Sequence, residues 1–139
     1  MNRHRQTPIL LLFFMGLFLF VLAPVCADEV ASPVVSMNYN IISGSWQRTD
    51  GGYLIAVSDV LPDGLAKVEY FNPRPIHVAR AAISTREDMI EPFIRFQDKG
   101  YEGSTYRLYY YAQEDALVGF YHQAPTNKTY EVIFLRKSK

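Results

Sequence analysis

The chain of 139 residues holds one cysteine, Cys26, and one tryptophan, Trp46. A single thiol cannot form an intrachain disulfide, and it cannot build a zinc site on paired thiolates. Histidine is almost as scarce: His4 lies near the start, and His77 and His122 have no metal-ligating neighbour at short spacing. No metal is expected. Net charge is lacking too, with 14 basic against 14 acidic residues. A balanced chain with scattered basic residues offers no field for capturing nucleic acid or an anionic membrane, and the cluster Arg136, Lys137 and Lys139 reads as a solubilising tail. There is no Gly-x-Ser-x-Gly elbow, and the glycines sit among turns without forming a phosphate cradle. Ser45, Ser58 and Ser104 fall at strand or turn positions where hydrogen bonding accounts for them. Asp50 and Asp115 are turn residues that their turns require in any case. No catalytic residue and no cofactor are expected, and the chain reads as a non-enzyme.

Long apolar runs are absent except at one place. Arg3, His4 and Arg5 precede an apolar stretch over 9–23, followed by Val25, Cys26 and Ala27 ahead of Asp28. This order is that of a secretory signal peptide. Its apolar part falls short of the roughly 20 residues that a membrane-spanning helix needs, so no stable span is expected once the signal is removed. Lipidation at Cys26 is disfavoured because Pro24 and Val25 stand where a lipoprotein signal needs a small residue. The expected location is periplasmic or secreted.

Taking 1–27 from the 139 residues leaves 112, with 12 basic and 14 acidic side chains. A chain of that size buries roughly 65% of its unfolded surface, enough for one core. Residues 28–42 carry Ser, Pro and Asn with little period and are expected to trail as a flexible or loosely docked lead-in. Residues 43–139 are expected to form one domain.

What that domain has in abundance is alternation. Over 105–112, Tyr106, Leu108 and Tyr110 fall on one face and Arg107 and Tyr109 on the other, the period of a half-buried strand. Short polar breaks separate this run from 116–122 and from 129–136, so the three form an antiparallel meander. Earlier strands are expected at 44–49, 53–58, 65–71, 76–83 and 90–97. Turns come at Asp50-Gly51-Gly52 and at Pro62-Asp63-Gly64, and a turn or single helical turn at 84–89. Two prolines, Pro73 and Pro75, should interrupt the sheet at 72–75. Eight antiparallel strands with hairpin-like connections predict an all-β fold, a single up-and-down barrel, with a two-sheet sandwich as the rival.

Aromatic residues dominate the inner face. After 1–27 are removed, five Phe, ten Tyr and Trp46 remain. Tyrosine combines an apolar ring with a hydroxyl that needs a partner, which suits a barrel lumen or a recognition surface. The alternation points Tyr53, Val68, Tyr70, Tyr106, Tyr110, Tyr121 and Phe134 inward. Arg80 joins them if Ile76 and Val78 face in, as an anchor for an acidic group. Tyr109 and Tyr111 face outward as an aromatic ledge.

Gly44-Ser45-Trp46 opening the first strand, Gly119 and Tyr121 near the end of a late one, and Arg136 closing the last resemble the pattern of the lipocalins and avidins. The resemblance implies a barrel plugged at one end by Trp46, with the Arg136 guanidinium laid over its ring. The chain departs from lipocalins in lacking a helix after the barrel, and from avidins in having Arg48 and Thr49 where polar biotin contacts would stand. It also looks similar to small secreted bacterial proteins without assigned activity.

The functional expectation is an exported binding protein that holds a small apolar or amphipathic ligand in its aromatic lumen. The alternative is an envelope protein-interaction or inhibitor module that acts through its loops and the Tyr109 and Tyr111 ledge. A filled interior favours the alternative.

Overall fold

The computed structural model describes residues 37–138. Nine strands form one sheet: β1 (Gly44–Arg48), β2 (Leu54–Ser58), β3 (Lys67–Asn72), β4 (Arg74–Ile76), β5 (Val78–Arg86), β6 (Met89–Phe96), β7 (Thr105–Tyr111), β8 (Ala116–Gln123) and β9 (Lys128–Arg136). Their order is β4-β3-β2-β1-β9-β8-β7-β6-β5, and the strand pairs are antiparallel. The last strand meets the first, with Arg136 opposite Trp46. The remaining gap narrows to a bridge between Leu65 and Ala82, beside which the Ile83 N–H donates to the Gly64 carbonyl at 2.8 Å. Gly64 has φ +87°, and a Cβ there would sit 2.0 Å from the Ile83 carbonyl oxygen. Only glycine permits that approach. The sheet is a nearly closed barrel and not a two-layer sandwich.

The ninth strand corrects the expected count of eight. Residues 72–75 do not simply interrupt: β4 folds back on β3 and pairs Phe71 with Pro75 and Asn72 with Arg74. Proline is tolerated because β4 is the sheet's outermost strand, with no further neighbour to receive its missing N–H. The break falls instead at His77, whose N–H donates to Asp98 Oδ2 at 2.9 Å.

A second correction concerns Arg80. β5 pairs Val78 with Phe96 but Arg80 with Arg95, a register shift that marks a bulge. One inserted residue reverses the facing that follows, so Val78 packs against the core while Arg80 is exposed. Arg80 is therefore not a lumen anchor.

One local expectation also changes. Residues 84–86 continue β5, and Glu87 and Asp88, with φ of 50° and 62°, make a two-residue hairpin into β6 where a helical turn was an option. Of the lead-in only 37–42 is described, where Tyr39–Ile42 is a 3-10 turn and Ile42 is fully buried; the signal peptide expected at 1–27 and the lead-in before Met37 lie outside the described residues.

Inward alternation fills the barrel with side chains. Trp46, Tyr70, Phe96, Tyr106, Leu108, Leu117 and Phe134 are each at most 2% exposed. Tyr106 is central, with ring centroids 4.8 Å from Tyr121, 5.4 Å from Phe134, 5.6 Å from Tyr70 and 5.7 Å from Phe96. Each such pair adds about 0.5–1.5 kcal/mol beyond area burial, so the lumen is a packed core and not an open channel.

Among the described residues, no helix is long and apolar enough to cross a membrane.

Candidate ligand site at the barrel mouth

The two ends of the barrel differ. At one end the backbone entering β1 and the end of β9 meet. Trp46 Nε1 donates to the Ile42 carbonyl at 2.9 Å, and the Arg136 guanidinium lies 4.1 Å over the indole. Arg136 Nε donates to Asp115 Oδ2 at 2.6 Å, Nη1 to the Ser43 carbonyl at 2.6 Å, and Nη2 to the Ile41 carbonyl at 2.8 Å. Tyr110 sets its ring edge against Trp46, with centroids 6.0 Å apart, and donates its hydroxyl to Asp115 at 3.1 Å. The hydrogen bond from Arg136 holds the Asp115 carboxyl below its ordinary range. This end is sealed, and Tyr110 belongs to the seal.

The other end is open. Here the chain leaves β1, β3 and β8 and enters β2 and β9, and these strand ends, with the loop between β6 and β7, bound a cup of about 360 Å3. Its ring walls come in two stacked pairs, Tyr53 with Tyr70 at 6.5 Å and Tyr121 with Tyr130 at 6.3 Å. Asn72 donates to the Tyr101 hydroxyl at 2.7 Å on the rim, and Gln123 also lines the cup.

Arg48 supplies the charge. Two positions after Trp46 on the same strand, it faces inward by simple alternation. Its guanidinium lies 4.4 Å over the Tyr53 ring, donates to the Tyr106 hydroxyl at 3.2 Å, and donates to Asp50 Oδ2 at 2.7 Å. The Arg48 side chain is only 10% exposed. Burial works against its charge, but the hydrogen bonds to Asp50 and Tyr106 outweigh that and raise its pKa. The same contact lowers the pKa of Asp50.

Beneath Arg48, the Tyr70 and Tyr106 hydroxyls lie 3.1 Å apart. Burial pushes both phenols up, with Tyr106 adding to the effect on Tyr70. Burial raises Tyr121 as well, opposed by a hydrogen bond to Ser104. All three stay neutral at neutral pH and present hydroxyls, not phenolates. The cup thus offers flat ring faces with phenol, amide and guanidinium groups at their edges. Such a surface can hold a small molecule that has one apolar face and polar or acidic substituents.

The residues expected to line the lumen divide by height along the barrel. Tyr53, Tyr70 and Tyr121 meet at the cup; Tyr106 and Phe134 lie in the core; Tyr110 is at the sealed end; Arg80 is outside. Arg48, Asn72, Tyr101, Gln123 and Tyr130 also line the cup, and the alternation did not single them out. Tyr130 was legible in principle, since it stands four positions before Phe134 on the same strand face. Asn72, Tyr101 and Gln123 come from strand ends and a loop, where alternation carries no signal.

Tyr109 and Tyr111 line a different feature, a groove of about 590 Å3 on the outer face shared with Val118, Phe120, Glu131 and Ile133. Among the described residues, no cluster of three His, Cys, Asp or Glu side chains is placed to hold a metal. No family model, curated protein or solved structure matches the chain.

Proposed function

We propose that this chain is an exported, non-enzymatic binding protein that holds one small amphipathic molecule in the tyrosine cup. The observation that carries the reading is the convergence of two stacked tyrosine pairs on Arg48 at the barrel's open end. The filled interior removes the lumen as the ligand's place and by itself favours the interaction module; the binding reading rests on the cup at the mouth alone. The volume sits at the small end of the roughly 300–1,000 Å3 of small-molecule sites, which fits a single ring system and not a long acyl chain. The lipocalin-like plug of Arg136 over Trp46 supports the same reading, because it leaves one end for entry.

A titration with an anilinonaphthalene sulfonate, a flat aromatic with one acidic group, tests it. The native protein binds the dye saturably at one site. Tyr130→Ala, at a residue already 41% exposed, removes one ring of the wall without opening the core and weakens binding about tenfold, equivalent to roughly 1.4 kcal/mol. Absence of saturable binding to the native protein counts against the reading.

A further inference from the structure

The outer face of β7, β8 and β9 carries an apolar patch with charges at its border. Outward positions are Arg107, Tyr109 and Tyr111 on β7, Val118 and Phe120 on β8, and Glu131, Ile133 and Leu135 on β9. The register aligns them in rows across the three strands. Arg107, Phe120 and Glu131 form one row; Tyr109, Val118 and Ile133 form the next; Tyr111 and Leu135 flank Ala116 in the third. Tyr111, Phe120, Ile133 and Leu135 are 43–47% exposed. A contiguous patch of this kind on a sheet marks an interaction surface.

We infer that the partner is a second copy of this chain, related by a two-fold axis that runs along β8. Such an axis turns one sheet face onto the other and lays β7 of each copy over β9 of its mate. The rows then complement themselves. Arg107 meets Glu131, Tyr109 meets Ile133, Tyr111 meets Leu135, and Phe120 meets Phe120 on the axis. Within these three rows the one charged pair is complementary and the large apolar side chains meet one another, while the next row sets the uncharged Thr105 against Thr129 and His122 against His122.

The same construction fails on the neighbouring face. An axis along β6 sets Arg95 against Arg95, with Arg80 flanking it on β5.

The charged pair would form beside contacts Arg107 already makes, to Glu91 and over the Phe93 ring. Arg107 Nη1 donates to Glu91 Oε1 at 2.6 Å, yet the Arg107 side chain remains 42% exposed. Glu131 is exposed and, among the described residues, makes no ion pair within the chain. The cup lies at the barrel mouth, so pairing through this face leaves it accessible.

Sedimentation of the purified protein tests the pairing. Twice the chain mass is expected at roughly 100 μM, within the range of weak specific homodimers. Phe120→Asp places two carboxylates together on the axis, and Glu131→Arg sets an arginine against Arg107 of the other copy. Each raises the dissociation constant at least about tenfold. Glu69→Arg, exposed on β3 away from the patch, leaves the mass unchanged. Both test positions are solvent-exposed, and near-ultraviolet circular dichroism verifies that the variants remain folded. A native chain that stays monomeric up to roughly 1 mM, or a dimer indifferent to both substitutions, overturns the inference. A monomer that instead engages lipid vesicles or another envelope protein through Phe120 overturns it equally.

Discussion

Gly119→Ala probes the closest backbone approach within the meander. Gly119 sits in mid-β8 opposite Leu108 and Val132, and a Cβ there would lie 2.1 Å from the Arg107 carbonyl oxygen and 2.9 Å from Leu108 Cα. Two effects compete. Alanine has fewer unfolded conformations than glycine, which by itself stabilises by about 0.4–1 kcal/mol. The overlap acts the other way, and it is with backbone that cannot swing aside as a side-chain tip would. Relief requires β7 and β8 to separate by about 1 Å, lengthening ladder hydrogen bonds worth roughly 0.5–1.5 kcal/mol each. Overpacking of this severity costs about 1–3 kcal/mol or more. We expect a net loss of about 2–3 kcal/mol, read from the midpoint of urea unfolding at constant m-value. Gly52→Ala is the control, because nothing lies within 4 Å of its added Cβ and its φ is not positive, so only the entropic term acts and it stabilises by up to about 1 kcal/mol. A Gly119→Ala protein as stable as the native one refutes the β7–β8 register.

Three further outcomes follow from the geometry of the core and the sealed end. Trp46 is the chain's one tryptophan and is fully buried, so its fluorescence is expected to be shielded from iodide; quenching like that of free tryptophan contradicts the plug. Asp115 has its folded pKa lowered from 3.8 by Arg136, so the clamp's stabilisation is complete above about pH 4 and is lost as pH falls through the lowered folded value. Asp115→Asn should therefore lower the urea midpoint near pH 7 and leave it little changed near pH 2; equal losses at both contradict the ion pair. Tyr70 and Tyr106 have folded pKa values raised above 10.0, so their stabilisation is full below about pH 10 and declines as pH climbs toward the folded values. Absorbance titration should show them ionising only as the barrel unfolds, and joint ionisation of all ten tyrosines in an intact barrel contradicts their burial.

The meander was legible because β7, β8 and β9 alternate without a break and their connections are too short for anything but hairpins. Pro75 misled in one direction: its missing N–H excludes a central strand, but an edge strand has no use for that donor. The bulge between Val78 and Arg80 misled in the other. A one-residue insertion leaves the residue pattern looking continuous while reversing the face, so the period of 76–83 is the same with Arg80 inside or outside. Facing also says nothing about height. Tyr106 and Tyr121 share a facing with their neighbours two positions away, yet one is core and the other lines the mouth, because depth depends on strand tilt and on where the loops end. Arg48 and Asn72 enter the site only through closure of β1 and β3 around the same opening, which is a property of the whole sheet.

The lumen is packed, and we propose that binding occurs at its mouth. Fluorine resonances of the protein labelled with 3-fluorotyrosine, followed during titration with the anilinonaphthalene sulfonate, test it most directly. The signals of Tyr53, Tyr121 and Tyr130 are expected to shift together and saturate while those of Tyr109, Tyr110 and Tyr111 stay in place. Saturable shifts confined to Tyr109 and Tyr111, or no shift at any tyrosine, would contradict it.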